Sequence, residues 1–392
     1  MQGFGFDTLA LLTAVGFAGP LLASLPRLRI PAIIGELIAG LVLGRTGFGV
    51  VDVANPTFQL LANIGFALVM FVVGTHVPIR GREIRSAAPM ALARVVLAGV
   101  VALGLGVVLA AEFGIDHAAL YAVLMASSSA ALALPVIESL RLQGPDVLSA
   151  TAQIAIADAA CIVLLPLVID VRRAPTAALG ALAVTGCAVV LFVLLRVVDR
   201  RGWRRRVHVY SEKHRFALEL RTSLIVLFAL AALAVSTHVS IMLAGFAVGL
   251  VIAAVGEPRR LARQLFGITE GFFSPLFFVW LGASLQVRAL VAHPDLVLLG
   301  VGLGLGAVLA HTAGRLLGQP LTLAVLSAAQ LGVPVAAATI GTEEHLLVAG
   351  EASALMFGAL LTVASTSIAG GLAARRQKAA KADQSAETDT PA

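Results

Sequence analysis

The chain of 392 residues is 59% hydrophobic and only 13% charged, with a mean hydropathy of +0.97. A soluble domain carries about a quarter charged residues, so this composition excludes an ordinary water-soluble fold and makes a lipid bilayer the main solvent. The formal charge of +6 does not imply a nucleic-acid partner, because the basic residues fall in short loops between apolar runs, where membrane topology uses them.

A membrane-spanning helix needs about 20 apolar residues. Thirteen stretches meet that requirement: 6–25, 31–50, 57–76, 87–111, 117–141, 146–170, 176–199, 216–236, 239–256, 266–287, 294–318, 320–344 and 350–374. The first lacks the basic start and small-residue cleavage site of a signal peptide, so it reads as a spanning helix. Pro20, Pro31, Pro56, Pro175, Pro294 and Pro320 fall near helix ends, where proline is tolerated. Cys161 and Cys187 both lie inside apolar stretches, which implies no disulfide framework.

With the N-terminus outside, 23 of the 28 lysines and arginines lie in inner segments and four in outer ones. That asymmetry predicts a multi-pass protein of the plasma (inner) membrane, N-terminus outside and C-terminus cytoplasmic. The largest inner loop runs from Arg200 to Arg215. Arg94, the remaining basic residue, sits about two turns inside helix 87–111, from where its long side chain can snorkel to the inner face. The tail 375–392 is polar and alanine-rich and is expected to be disordered.

Six helices precede 176–199 and six follow the basic loop, which suits an inverted repeat joined by a linker helix. The fold class expected is therefore an all-α polytopic membrane protein of about 13 transmembrane helices. The repeat pairs helix 117–141 with helix 320–344. The first carries Ser127, Ser128, Ser129 and Pro135; the second carries Gln330, Gly332 and Pro334. Two corresponding helices interrupted by proline and small polar residues point to a binding site at mid-membrane depth. Asp158 stands in the middle of helix 146–170 with about a dozen apolar or small residues on either side. A carboxylate at that depth costs several kcal/mol, so it faces a cavity, carries a proton or holds a cation.

Other polar residues are weaker candidates. Glu36 lies seven residues after Arg29 and is either a second titrating group or the partner of a basic neighbour. His311 and Arg315 are four apart and share a helical face. Thr151 and Gln153, one to two turns before Asp158, read as helix-packing residues. The run GVGLGLG (300–306) follows no strand, so its glycines read as packing positions. No zinc spacing and no nucleophile elbow occurs, so neither an enzyme nor a cofactor is expected.

Several runs resemble one family. PAIIGELIAGLVLGRTGFG (31–49) and FQLLANIGFALVMFVVGTHV (58–77) resemble the second and third helices of the monovalent cation:proton antiporter-2 family. MASSSAALALPVIESL (125–140) resembles its crossover helix, QIAIADAACIVLLPLV (153–168) the helix with its essential aspartate, and FFSPLFFVWLGASLQV (272–287) its Pro-Leu-Phe-Phe segment. The resemblance implies a sodium/proton antiporter-like fold with two broken crossover helices, in a homodimer. It implies a dimerisation domain (1–86 and 216–288) and a core transport domain (87–171 and 289–374). A linker helix and basic loop (172–215) join the first-half segments to the second-half segments. It implies exchange of Na⁺ or K⁺ for H⁺ by competition at Asp158, with Ser127, Ser128 and Ser129 beside it, in the service of pH homeostasis. Three positions depart from the family. Ala157 stands where many members have a second polar residue. No lysine occurs in 294–318, leaving His311 or Arg315 to replace it. Gln330, Leu331 and Gly332 stand where the family has Gly-Glu. One carboxylate without an adjacent acid makes one-for-one, electroneutral exchange the expected stoichiometry. The alternatives are a sodium-coupled organic-anion symporter of similar fold and a non-transporting membrane sensor subunit.

Overall fold

The computed structural model describes residues 4–24, 32–76, 82–170, 172–202, 210–211, 213–214, 216–237, 239–256, 259–285 and 287–388. Arg27, Arg29, Arg80, the centre of the basic loop and the side chain of His76 lie outside the described residues. In chain order the α-helices are α1 (Phe6–Gly16), α2 (Ala18–Ala23), α3 (Ala32–Leu43), α4 (Pro56–His76), α5 (Arg82–Phe113), α6 (Ala118–Ala126), α7 (Ala130–Ser139), α8 (Pro145–Ile169) and α9 (Ala174–Arg200). They continue with α10 (Leu218–Ser236), α11 (Ile241–Val255), α12 (Arg259–Ile268), α13 (Ser274–Ser284), α14 (Val287–Ala292), α15 (Pro294–Thr312), α16 (Leu321–Leu326), α17 (Gly332–Glu343) and α18 (Glu351–Thr388). No strand occurs among the described residues.

Nine stretches among the described residues are helical, long and apolar enough to cross a bilayer. Four shorter apolar helices, Ala32–Leu43, Ala118–Leu134, Ile241–Val255 and Gly332–Thr342, fall in the other stretches expected from the sequence. Each shortening has a local cause. The helix expected over 31–50 stops at Leu43 because Gly44, Gly47 and Gly49 follow, and Gly49 takes φ +65°, open to glycine at little cost. The stretch 266–287 is interrupted by a π-turn, Thr269–Phe273. Pro275 cannot donate to the carbonyl four residues back, which favours widening the ladder there. Helix α18 runs on to Thr388, through the tail expected to be disordered. Alanine and the charged residues of that tail are good helix formers, which suffices to continue an established helix.

The chain divides into two compact units, residues 1–79 with 170–289, and residues 80–169 with 290–392. In the first unit α11 packs along α4, α13 along α3, and α9 against α11. The α4–α11 contact is backbone on backbone. A Cβ on Gly249 would fall 2.7 Å from Gly74 Cα and overlap the carbonyl of Phe71. Without a hydrophobic drive inside lipid, such small-residue seams are how membrane helices approach. Helix α9 buries one stripe, Ala177, Gly180, Ala181, Val184 and Ala188, and leaves Leu179, Leu182, Val189, Val190, Val193 and Leu194 exposed.

In the second unit α5 packs on α6 and α8, and α15 packs on α18. Here the glycine-rich run is the seam. A Cβ on Gly304 would lie 2.9 Å from the carbonyl of Gly358, and one on Gly358 would lie 2.9 Å from that of Gly300. The second unit also contains two interrupted helices, α6–α7 and α16–α17, which carry most of the polar residues singled out from the sequence.

Candidate functional site

The first interruption lies at the serines. Helix α6 ends at Ala126; Ser127 is extended (φ −71°, ψ 149°), Ser129 is extended (φ −127°, ψ 107°), and α7 starts at Ala130. Pro135 lies within α7 rather than at the break. Serine hydroxyls compete with the backbone for hydrogen bonds, which lets three in a row open a helix without a proline. The second interruption spans Ser327–Leu331, and Pro334 falls in the first turn of α17, where its missing N–H costs little.

An opened helix exposes carbonyls at its C-terminal side and N–H groups at its N-terminal side. The carbonyls meet donors. Ser127 Oγ donates to Leu124 O over 2.7 Å, and the Gln330 amide donates to the same oxygen. Ser128 Oγ donates to Ser327 O over 2.6 Å, tying the first break to the second. His311 Nε2 lies 3.2 Å from Ser127 O; a carbonyl only accepts, so Nε2 carries a proton. Thr362 on α18 accepts from the Gln330 N–H over 3.1 Å.

The N-terminal side meets the acid. Asp158 Oδ2 accepts from Ala130 N over 2.9 Å, at the first residue of α7. The carboxylate therefore sits at the positive end of a half-helix. Its side chain is 4% exposed. A carboxylate has about four acceptor positions, and this one uses a single backbone N–H among the described residues. The remainder are available to a proton or a cation.

The structure thus brings Asp158, Ser127, Ser128, Ser129, Gln330 and His311 to the two breaks of one unit. Ser129 caps α7 through its backbone position, with no side-chain cap bond. Arg315 does not join them; it is exposed in a 3₁₀ turn, Ala313–Leu317. Glu36 belongs to the other unit. It is buried on α3, and a Cβ on Gly19 would lie 2.8 Å from its Oε1.

The sodium/hydrogen exchanger transmembrane family matches this sequence over residues 11–374. The chain belongs to that family. The chain is 24% identical to the putative Na⁺/H⁺ antiporter YjbQ of Bacillus subtilis, over 91% of this chain and 60% of that one. It is 26% identical to the probable Na⁺/H⁺ antiporter 3 of Methanocaldococcus jannaschii, over 82% of this chain and 85% of that one. It is 29% identical to the glutathione-regulated potassium-efflux protein KefC of Cronobacter sakazakii, over 74% of this chain and 48% of that one. The chain thus spans 48% to 85% of these relatives' lengths. Its fold is that of the sodium proton antiporter MjNhaP1 of M. jannaschii at pH 8, with a TM-score of 0.66 at 16% identity, over 94% of this chain and 97% of that one.

Sequence reasoning missed the partners of three groups in the chain's second unit. Gln319 Nε2 donates to Gln153 Oε1 over 2.8 Å and lies 3.5 Å from Ser327 Oγ, linking the helix of Asp158 to the second break. Gln153 thus acts as the interhelical packing residue expected, although the sequence offers no sign of its partner 166 residues away. Arg94 is buried among protein atoms; it donates to Ser149 Oγ over 3.0 Å and to Leu317 O over 3.1 Å. Glu351, the first residue of α18, accepts from Tyr121 Oη and His117 Nδ1, each over 2.8 Å, and from Val348 N over 2.9 Å. The only sequence signal for this cluster is an acid heading an apolar span. His117 caps α6 outside its apolar stretch, and the hydrogen bond to Glu351 raises its pKa above the ordinary 6.5, against the opposing effect of burial.

Proposed function

We propose that this exchanger is a secondary active antiporter that trades Na⁺ or K⁺ for H⁺ at Asp158. The observation that carries the reading is a buried carboxylate held by one N–H at the start of a half-helix, with its other acceptor positions unused. A proton or a partly dehydrated cation neutralises the same charge, so the two compete for it. Ser127, Ser128 and Ser129 supply oxygens beside it, while Gln330 and His311 hold the C-terminal end of α6 in its opened form. Arg315, on the exposed turn, is not needed at the site. The names of the relatives, which include both Na⁺/H⁺ antiporters and a potassium-efflux protein, support a monovalent cation as substrate without choosing between the two.

On this reading the protein is a homodimer in the plasma membrane with its N-terminus outside. The distribution of lysine and arginine supports that orientation. A cysteine placed at the exposed Lys213, in a background with Cys187→Ser, tests it. A membrane-impermeant reagent is expected to leave it unlabelled in intact cells and to label it in inverted vesicles.

The function itself is tested in proteoliposomes containing a pH dye, to which Na⁺, K⁺ and Li⁺ are added in turn. Cation-driven alkalinisation or acidification of the lumen is expected for Na⁺, K⁺ or both. Wild-type protein that moves no protons with any of the three would refute the proposal.

A further inference from the structure

The sequence places one arginine inside a membrane helix, and the structure buries it without a direct ion pair among the described residues. Arg94 is 4% exposed. Its two hydrogen bonds go to a hydroxyl and a carbonyl, Ser149 Oγ and Leu317 O, and its Nε has no partner among the described residues. A guanidinium stays protonated at all physiological pH. The carboxylate that acts on it, Asp146, is exposed at the start of α8 and makes no ion pair with it among the described residues. A fixed positive charge is therefore built into the second unit.

Its position relates it to Asp158. Ser149 and Asp158 are both on α8, nine positions apart, which is about 13 Å along the axis. Other charged groups on the helices packed around α5 and α8 are less favourably placed. Glu112, Glu138, Asp146, Asp295 and Arg315 are exposed at helix ends. Tyr121, Cys161 and His311 are buried but lack a permanent charge. The side chains of Arg82, Glu83, Arg85 and Glu343 lie outside the described residues.

We infer that Arg94 is a tuning residue of the exchange reaction, whose fixed charge weakens proton and cation binding at Asp158 together. The inference rests on the reading of Asp158 as the shared site. At an effective dielectric of about 20, a unit charge about 13 Å away changes the affinity for another unit charge roughly tenfold. Na⁺ and H⁺ carry the same charge, so both affinities change by the same factor. The consequence is specific. Where protons do not compete, at alkaline pH, the half-saturating cation concentration follows cation affinity alone. Where protons dominate, at acid pH, it follows the ratio of the two affinities, in which the factor cancels. Arg94 thereby sets the pH at which exchange switches on without altering selectivity between cation and proton.

The test uses the full chain in proteoliposomes, with Na⁺ as the probe and exchange measured from acid to alkaline pH. Arg94→Gln is expected to lower the half-saturating Na⁺ concentration several-fold to roughly tenfold at alkaline pH and leave it unchanged at acid pH. The switch-on midpoint moves to higher pH by the same factor. Arg94→Lys keeps the charge and loses the fork of donors, so it restores the wild-type midpoint. Ser149→Asp sets a carboxylate beside Nη1 and cancels the charge with the arginine still in place, so it shifts the midpoint as Arg94→Gln does. This second variant serves if Arg94→Gln does not fold. An unchanged midpoint in Arg94→Gln or Ser149→Asp overturns the inference. So does an equal loss of rate in the Gln and Lys variants with unchanged half-saturation, which marks a mechanical brace. Asp158→Asn is run in parallel. Its retained exchange refutes the role of Asp158, whereas its inactivity leaves the Arg94 result to stand by itself.

Discussion

Among its described residues the second unit holds two buried acids that look alike by burial and differ in their partners. Glu351 is fully buried and accepts from a tyrosine hydroxyl, a histidine ring and a backbone N–H. Asp158 is nearly as buried and, among the described residues, accepts from one backbone N–H. Both avoid the cost of an isolated charge, by different routes. Glu351 is fully engaged by the protein and joins the N-terminal ends of α6 and α18. Asp158 is engaged only in part, by a helix end whose dipole tolerates a carboxylate without saturating it. Burial alone does not tell the two acids apart; the unused acceptor positions do.

The largest effect is expected from removing the underpartnered acid. Asp158→Asn keeps the shape and cannot exchange a proton, so cation-driven proton flux should fall to the protein-free background while the protein remains folded. Retention of wild-type flux would dissolve the contrast. Glu351→Ala should do the reverse. It strands Tyr121 and His117, with a destabilisation of about 3–5 kcal/mol by analogy with broken buried pairs. The thermal midpoint in detergent should drop clearly, with flux per folded molecule preserved within a few-fold. A Glu351→Ala protein with wild-type stability would mean that its three donors are not holding the fold.

A smaller effect is expected at the link between the two breaks. Ser128→Ala removes the bond to Ser327 O and should cost about 1 kcal/mol, read as a modest lowering of the same midpoint.

The Glu351 cluster also carries a pH signature. The hydrogen bond to Glu351 raises the pKa of His117 in the folded protein above 6.5. The sign follows from linkage: the pair's stabilisation is fully present below about pH 6.5 and fades as pH rises through the raised value. A plot of thermal midpoint against pH should decline across that window, and His117→Gln should flatten the decline. An unchanged slope would show that the pair contributes no proton-linked stability.

The smallest expected effect is none at all. On the proposed reading a single carboxylate trades one H⁺ for one monovalent cation, so an imposed diffusion potential should leave the Na⁺-driven rate unaltered. A clear rate change would point to a second proton carrier, with Glu36 and His311 the groups to substitute next.

The sequence by itself determined the helical membrane architecture, because hydropathy is a property of consecutive residues and needs no partner. It also exposed Asp158, since an acid amid apolar residues is conspicuous wherever the chain goes. It placed Ser127 to Ser129 and Gln330 on two interrupted helices, because runs of small polar residues interrupt helical patterning locally. The residues alone did not choose between the serines and Pro135 for the first opening; the family resemblance set it at the serines, where α6 ends and α7 begins, and what holds it open depends on where the freed carbonyls find donors. Those donors come from far along the chain: Gln330 to Leu124, His311 to Ser127, and Ser128 to Ser327. The same holds for Gln319 with Gln153, His117 with Glu351, and Arg94 with Ser149 and Leu317. Only the tertiary structure decided which polar groups satisfy one another and which are left free, because hydrogen bonds act over about 3 Å and residues this far apart in sequence come within that range only through the fold.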